Sequence, residues 1–131
     1  MFVDASALTA ILTDETDAAA LAARLQRALR RVTSPLAVWE TGVAVARHLD
    51  LPVPAAREAV HAYLDLAGIE IVAVPPEAEA GALDAYDRFG TGRHPAGLNF
   101  GDCFAYACAC AHGVPLLYKG NDFPLTDIET A

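Results

Sequence analysis

Apolar positions follow two rhythms along the chain. Short apolar runs of strand length stand at Met1–Asp4, Arg31–Thr33, Ile69–Val74 and Pro115–Lys119, and β-branched residues enrich several of them. Between them, apolar residues recur at intervals of three and four, the helical period. A helix is predicted over Ser6–Leu12, and Thr13-Asp14-Glu15-Thr16-Asp17 reads as a break followed by a new helix start with acids in its first turn. Leu21, Leu25, Ala28, Leu29 and Val32 continue at helical spacing. Ser34-Pro35 is an N-cap followed by an N1 proline and opens a helix to about His48. Pro54 opens another, which Gly68 closes. Glu77–Phe89 is helical and stops at Gly90; Thr91–Leu98 is a loop. Asn99 caps a helix that runs to His112 and ends at Gly113. Gly120-Asn121-Asp122 forms a turn, and a last short strand is expected over Thr126–Ile128. Strands alternating with helices predict an α/β fold whose parallel sheet is covered on both faces.

The chain has 131 residues, 54% of them hydrophobic. That suits one domain, residues 1–131, with a sizeable core, and excludes a disordered chain. No apolar run approaches the ~20 residues of a membrane helix. The opening Met1-Phe2-Val3-Asp4 has neither the basic region nor the long apolar stretch of a secretory leader, so a cytoplasmic location is expected. Cys103, Cys108 and Cys110 fall in one predicted helix with no C-x-x-C pair. Neither a disulfide framework nor a zinc site follows. Cys103 and Cys110 share a helix face and are expected to pack as small buried hydrophobes. The net charge of −8 argues against a protein that coats nucleic acid. It does not exclude an enzyme whose acidic site holds metal ions, since the metals reverse the local sign.

Four acids stand where surface acids are not expected. Asp4 ends an apolar strand, Glu40 follows Val38-Trp39 in an apolar helix, Asp102 precedes an almost uncharged helix, and Asp122 follows the strand Pro115–Lys119. Helices covering a parallel sheet run antiparallel to its strands, so helix N-termini share an edge with strand C-termini. All four acids fall on that edge, where open α/β sheets bind ligands. Whether they meet within it depends on strand order. If they do, like charges raise one another's pKa, and helix dipoles offset only about 0.3–1 kcal/mol each. A divalent cation offsets more. All-oxygen donors suit Mg²⁺ or Mn²⁺, and the matching chemistry is metal-activated water attacking a phosphodiester. Singly, most of these acids have an ordinary explanation: Asp102 as a helix cap, Asp122 as a turn residue, Glu40 as a solvated acid near a helix start. Asp4 does not, because a carboxylate after Phe2-Val3 costs several kcal/mol unless paired or metal-bound.

Val3-Asp4-Ala5-Ser6-Ala7-Leu8, Glu40 after the Ser-Pro helix start, the run from Gly92 to Ala107 (GRHPAGLNFGDCFAYA) and Leu116–Phe123 with Thr126-Asp127-Ile128 behind it together resemble VapC-type toxins of the PIN-domain family. The resemblance covers essentially the whole chain. It implies a three-layer α/β/α sandwich around a parallel sheet of four to five strands. It also implies a Mg²⁺-dependent endoribonuclease, with Mn²⁺ as a substitute, held in check by a cognate VapB-type antitoxin in a toxin–antitoxin pair. On that basis Asp4 and Asp102 are the main metal ligands, Glu40 ligates the metal or activates water, and Asp122 completes the site, through water. Ser6 is placed to hydrogen-bond the Asp4 carboxylate or a metal-bound water, and Asn121 stands with it among the residues around the ligands. Many relatives carry Thr-x-Asp-x-Asp in the last motif; here Tyr118 replaces the Thr and Gly120 the first Asp, leaving a four-acid site.

Arg93 and Lys119 flank the acidic edge and are candidate RNA contacts. Arg24, Arg27, Arg30 and Arg31 read better as complements to a helix C-terminus. The four histidines show no ligand spacing, and His94 reads as a loop brace. Surplus apolar area on the early helices suits a homodimer or an antitoxin groove. A dehalogenase-type phosphatase is disfavoured, because Asp4-Ala5-Ser6 lacks the second acid of Asp-x-Asp, and so is a receiver domain, which lacks its acidic pair. The remaining alternative is a catalytically silent module that binds antitoxin or RNA.

Overall fold

A computed structural model describes residues Met1–Ala131. Four short strands, β1 (Phe2–Val3), β2 (Arg31–Thr33), β3 (Ile69–Ile71) and β4 (Leu116–Leu117), form one parallel sheet in the order β3-β2-β1-β4. Six helices cover it: α1 (Ala5–Leu12), α2 (Ala18–Arg27), α3 (Pro35–His48), α4 (Val53–Ala67), α5 (Ala78–Phe89) and α6 (Phe100–His112). The sheet is the expected parallel one, inside an α/β/α sandwich. Neighbouring strand residues seed opposite cores, as the period of two requires. Phe2 and Leu116 pack with Ala85, Phe89 and Tyr106 of α5 and α6. Val3 and Leu117 pack with Leu8, Leu21, Val45 and Val60 of α1 to α4. Burying each large apolar side chain contributes roughly 1.5–3 kcal/mol, so two-residue strands are held by what they pack against. The chain advances from β1 to β3 in one direction, then returns to place β4 on the free side of β1. The order therefore reverses between β1 and β4, and a crevice opens there at the strand C-termini.

Local signals set most boundaries. Ser34 Oγ accepts the Ala37 amide at 3.2 Å ahead of the N1 proline. Gly68 and Gly113 close α4 and α6 in the left-handed conformation, with φ of +62° and +61°. Tertiary contacts override the local pattern elsewhere. Helix α2 stops at Arg27, because Arg31 takes the Leu25 and Gln26 carbonyls at 2.8 and 3.2 Å. Leu29 is thereby left fully exposed instead of on a helical apolar face. Strand β3 ends at Ile71, though the Val72 amide still bonds Thr33 O at 2.8 Å. The strand expected at Thr126–Ile128 does not form. A 3₁₀ turn, Phe123–Leu125, precedes it, Thr126 Oγ1 donates to Phe123 O at 2.7 Å, and Asp127 turns toward Tyr106. That segment meets the sheet through one bridge, Leu116 with Thr130. Cys103 and Cys108 are buried, whereas Cys110 is exposed, in a last turn of α6 that runs out of the packed layer. No helix is long and apolar enough to cross a membrane.

Candidate active site

At the reversal point lies an open basin of about 340 Å³, lined by Asp4, Ser6, Glu15, Glu40, Asp102 and Lys119 among others. Each side chain arrives by a different route: Asp4 just past β1, Glu40 from the second turn of α3, Asp102 from the first turn of α6, Lys119 just past β4, and Glu15 from the α1–α2 turn.

Asp4 is buried at the mouth of the central strand. Its amide donates to Leu117 O at 2.9 Å, which fixes the backbone against β4. Its Oδ2 accepts the Ser6 amide at 2.9 Å and Ser6 Oγ at 2.5 Å, so the carboxylate caps α1 while facing the basin. Burial pushes the Asp4 carboxyl up from its ordinary value, and the Ser6 hydrogen bonds pull the other way. Asp102 sits in a reciprocal capping box: its amide donates to Asn99 Oδ1 at 3.0 Å, and its Oδ2 accepts the Asn99 amide at 2.9 Å. The capping role weighed for Asp102 is therefore real, and it still leaves Oδ1 for the basin. Burial raises Asp102 to about 6 against the Asn99 hydrogen bond, and the charges of Asp4 and Asp122 add to the rise. Glu40 is half-buried over the first turn of α6, in the space left because residue 101 is glycine. Burial first, then the Asp4 and Asp102 charges, lift it to about 7. Asp122 is exposed ahead of the 3₁₀ turn and does not line the basin, although its charge reaches Asp102.

Three carboxylates from three elements thus sit close enough to disfavour one another's ionisation. Such a set of hard, mutually repelling oxygen donors fits a hydrated dication, whose charge relieves the repulsion. No group of three or more His, Cys, Asp or Glu side chains is arranged to grip an ion by itself. Asp4 and Asp102, one carboxylate from each of two elements, are the residues that could hold such an ion with water completing its shell.

A family model for the PIN domain matches residues 1–129. The chain belongs to the PIN-domain family. It is 43% identical over 128 residues to a ribonuclease VapC of Mycolicibacterium smegmatis, covering 98% of this chain and 97% of that one. It is 41% identical over 130 residues to ribonuclease VapC30 of Mycobacterium tuberculosis, covering 99% and 97%. The fold matches a crystal structure of M. tuberculosis VapC20, titled a sarcin-ricin loop cleaving toxin, at a TM-score of 0.77 and 18% identity, covering 99% of this chain and 97% of that one. With these relatives the chain is a PIN domain of the VapC type.

Other features of this PIN domain depart from the sequence expectations or add to them. Arg93 does not line the basin; its guanidinium pairs with Asp87 and lies 5.7 Å from the Tyr86 ring centre, on α5. Lys119 does line it, paired with Glu15. Asn121 is exposed in the turn and outside the basin wall. His94 accepts the Ala96 amide at Nδ1 at 3.1 Å and stands edge-on to Phe89, a brace for its loop. Sequence reasoning missed Glu15 and Gly101. Glu15 was masked by an acid-rich stretch that reads as a helix start. Gly101 carried a usable signal, because glycine in a helical first turn beside Asp102 sacrifices helix propensity.

Proposed function

We propose that this PIN domain is a Mg²⁺-dependent endoribonuclease, with Mn²⁺ as a substitute, acting as the toxin of a VapBC-type pair in the cytoplasm. The observation that carries the reading is the meeting of Asp4, Glu40 and Asp102 in one basin at the β1–β4 reversal, three carboxylates whose charges work against one another without a cation. Asp4 and Asp102 would hold the ion, and Asp122 would reach it through water. The ion would supply the Lewis acidity that polarises a phosphodiester and acidifies a bound water. Glu40, which shares the basin with Asp4 and Asp102, is the candidate for accepting a proton from the attacking water. Ser6 keeps Asp4 oriented, and Gly101 leaves Glu40 its place. A VapB-type antitoxin is the expected protein partner. The apolar groove between α3 and α4, exposing Trp39 and Val53 beside Arg57, suits an amphipathic segment of such a partner. The same kind of surface suits homodimer formation.

RNA cleavage measured with Mg²⁺ or Mn²⁺, with EDTA and Asp4→Asn as controls, tests the reading. Cutting that needs no metal and survives Asp4→Asn would remove it. The absence of a preformed ligand cluster favours one other reading, a silent module that binds antitoxin or RNA. Tight antitoxin binding by a protein that cuts no RNA under any of these conditions would favour that one.

A further inference from the structure

The turn between α1 and α2 is built around an inward-facing acid. Asp14 takes a φ of +53°, a backbone conformation that non-glycine residues rarely adopt. Thr13 Oγ1 donates to Thr9 O at 2.8 Å, and the Glu15 amide donates to Ala10 O at 2.9 Å, so the chain folds back under the end of α1. This brings Glu15 to the basin wall, 104 residues from its partner Lys119. One Glu15 oxygen pairs with the Lys119 ammonium, and the other lies 3.4 Å from Thr13 Oγ1, whose proton goes to Thr9 O. Lys119 is anchored from its backbone as well: its amide donates to Ser6 Oγ at 3.0 Å, and Ser6 Oγ donates to Asp4. A hydrogen-bonded path therefore runs from the Asp4 carboxylate to the Lys119 backbone amide, and Glu15 holds the ammonium at the other end of the same residue.

Lys119 is the single lysine of the sequence and the one cation lining the basin. The pair is only partly desolvated, its side chains 31% and 32% exposed, so the ammonium is held and still faces the basin. A phosphodiester entering a basin walled by acids needs a positive charge at a defined place. An ammonium is a compact point charge on a flexible stem, and a partner that holds it reduces the side-chain freedom lost when it meets a phosphate.

We propose that Glu15 is a positioning residue that holds the Lys119 ammonium at the rim of the basin, where it receives a phosphate of the RNA strand. The inference rests on the ribonuclease reading and names a substrate contact within it. Glu15 is paired with a cation, whereas Asp4, Glu40 and Asp102 have none beside them, which separates Glu15 from the acids assigned to the metal.

The test uses the full chain and a short single-stranded oligoribonucleotide of randomised sequence. On an Asp102→Asn background, Lys119→Met weakens binding about tenfold, the loss of one charge-assisted phosphate contact. It also lowers the slope of log affinity against log salt by about one, and Lys119→Arg restores the slope. In the active chain Glu15→Gln leaves the ammonium charge in place, so the salt slope stays and kcat falls about tenfold. Melting temperatures identify any variant that misfolds, and Lys119→Arg with Glu15→Gln then carry the test. An unchanged salt slope in Lys119→Met, or an unchanged kcat in Glu15→Gln, overturns the inference while the parent still cuts RNA. So does a Glu15→Gln variant whose only change is a higher Mg²⁺ requirement, which would make Glu15 a metal ligand. A parent chain that neither binds nor cuts RNA removes the ribonuclease reading and this inference together.

Discussion

The carboxylate of Glu40 rests directly over the backbone of Gly101: a Cβ at residue 101 would lie 2.6 Å from Glu40 Cδ. Helix α3 and helix α6 can therefore bring an acid each to the same basin only because one of them lacks a side chain at the point of approach.

Gly101→Ala should separate activity from stability. The atoms in the way are the far end of a flexible side chain, so Glu40 swings aside instead of the helices parting. Alanine favours a helix interior over glycine by roughly 0.5–1 kcal/mol, which offsets much of the crowding. We expect a melting temperature close to the parent's and a loss of RNA cleavage of about a hundredfold, measured at saturating Mg²⁺.

The acids should not be equivalent. Asp4→Asn and Asp102→Asn are each expected to lower cleavage at least about a hundredfold, roughly 2.7 kcal/mol of activation free energy, with circular dichroism unchanged. Asp122→Asn, exposed and off the basin wall, should cost less than tenfold. Chelation with EDTA should abolish cleavage, and added Mg²⁺ or Mn²⁺ should restore it. Equal losses at Asp122 and Asp102 would refute the ranking.

Without metal, stability should fall as pH rises. Glu40 titrates at about 7 in the folded chain against 4.5 for the free side chain, and Asp102 at about 6 against 3.8. Raised carboxyl values mean that the folded state binds more protons than the unfolded state across this window. Protonation therefore favours folding, and the benefit is lost between about pH 4 and pH 7. Solvent screening at half-exposed Glu40 holds the combined effect to about 1–2 kcal/mol. Urea unfolding in EDTA at pH 5 and pH 8 measures it, and Mg²⁺ should recover stability at pH 8. A metal-free chain more stable at pH 8 than at pH 5 would contradict this.

The C-terminal segment should be tied down by a side-chain cluster and not by a strand ladder. Tyr106 Oη donates to Asp127 Oδ1 at 2.6 Å, and Arg88 pairs with the same carboxylate. These contacts draw Asp127 below its ordinary pKa, while burial first, and then the Asp127 hydrogen bond, push Tyr106 up to about 12 against the Arg88 charge. Tyr106→Phe removes one hydrogen bond, a loss of about 1 kcal/mol. Hydrogen exchange should then quicken at the Leu116 and Ala131 amides, which bond Glu129 O and Leu116 O, before it quickens at Phe2.

Much of this molecule is written in nearest-neighbour chemistry. The Ser34-Pro35 start of α3, the Asn99–Asp102 box of α6 and the glycines closing α4 and α6 are local, because caps satisfy backbone groups within a few residues. The unusual standing of Asp4 was legible for a similar reason: a charge directly after Phe2-Val3 has no cheap place to go. The family motifs, too, are linear runs, so their order along the chain was enough to suggest the fold and the acids to examine.

Distance in space was not written there. The strand order β3-β2-β1-β4 arises from packing on both faces of the sheet, and it decided that Asp4, Glu40 and Asp102 meet while Asp122 stays at the margin. The same long-range choice brought Glu15 to Lys119, left Leu29 in solvent and drew Thr126–Ile128 away from the sheet toward Tyr106 and Arg88. Sequence alone settled where α3, α4 and α6 are capped, because those energies are local; only the folded chain settled where α2 stops and which charges share a basin, because those energies exist only once the layers have closed.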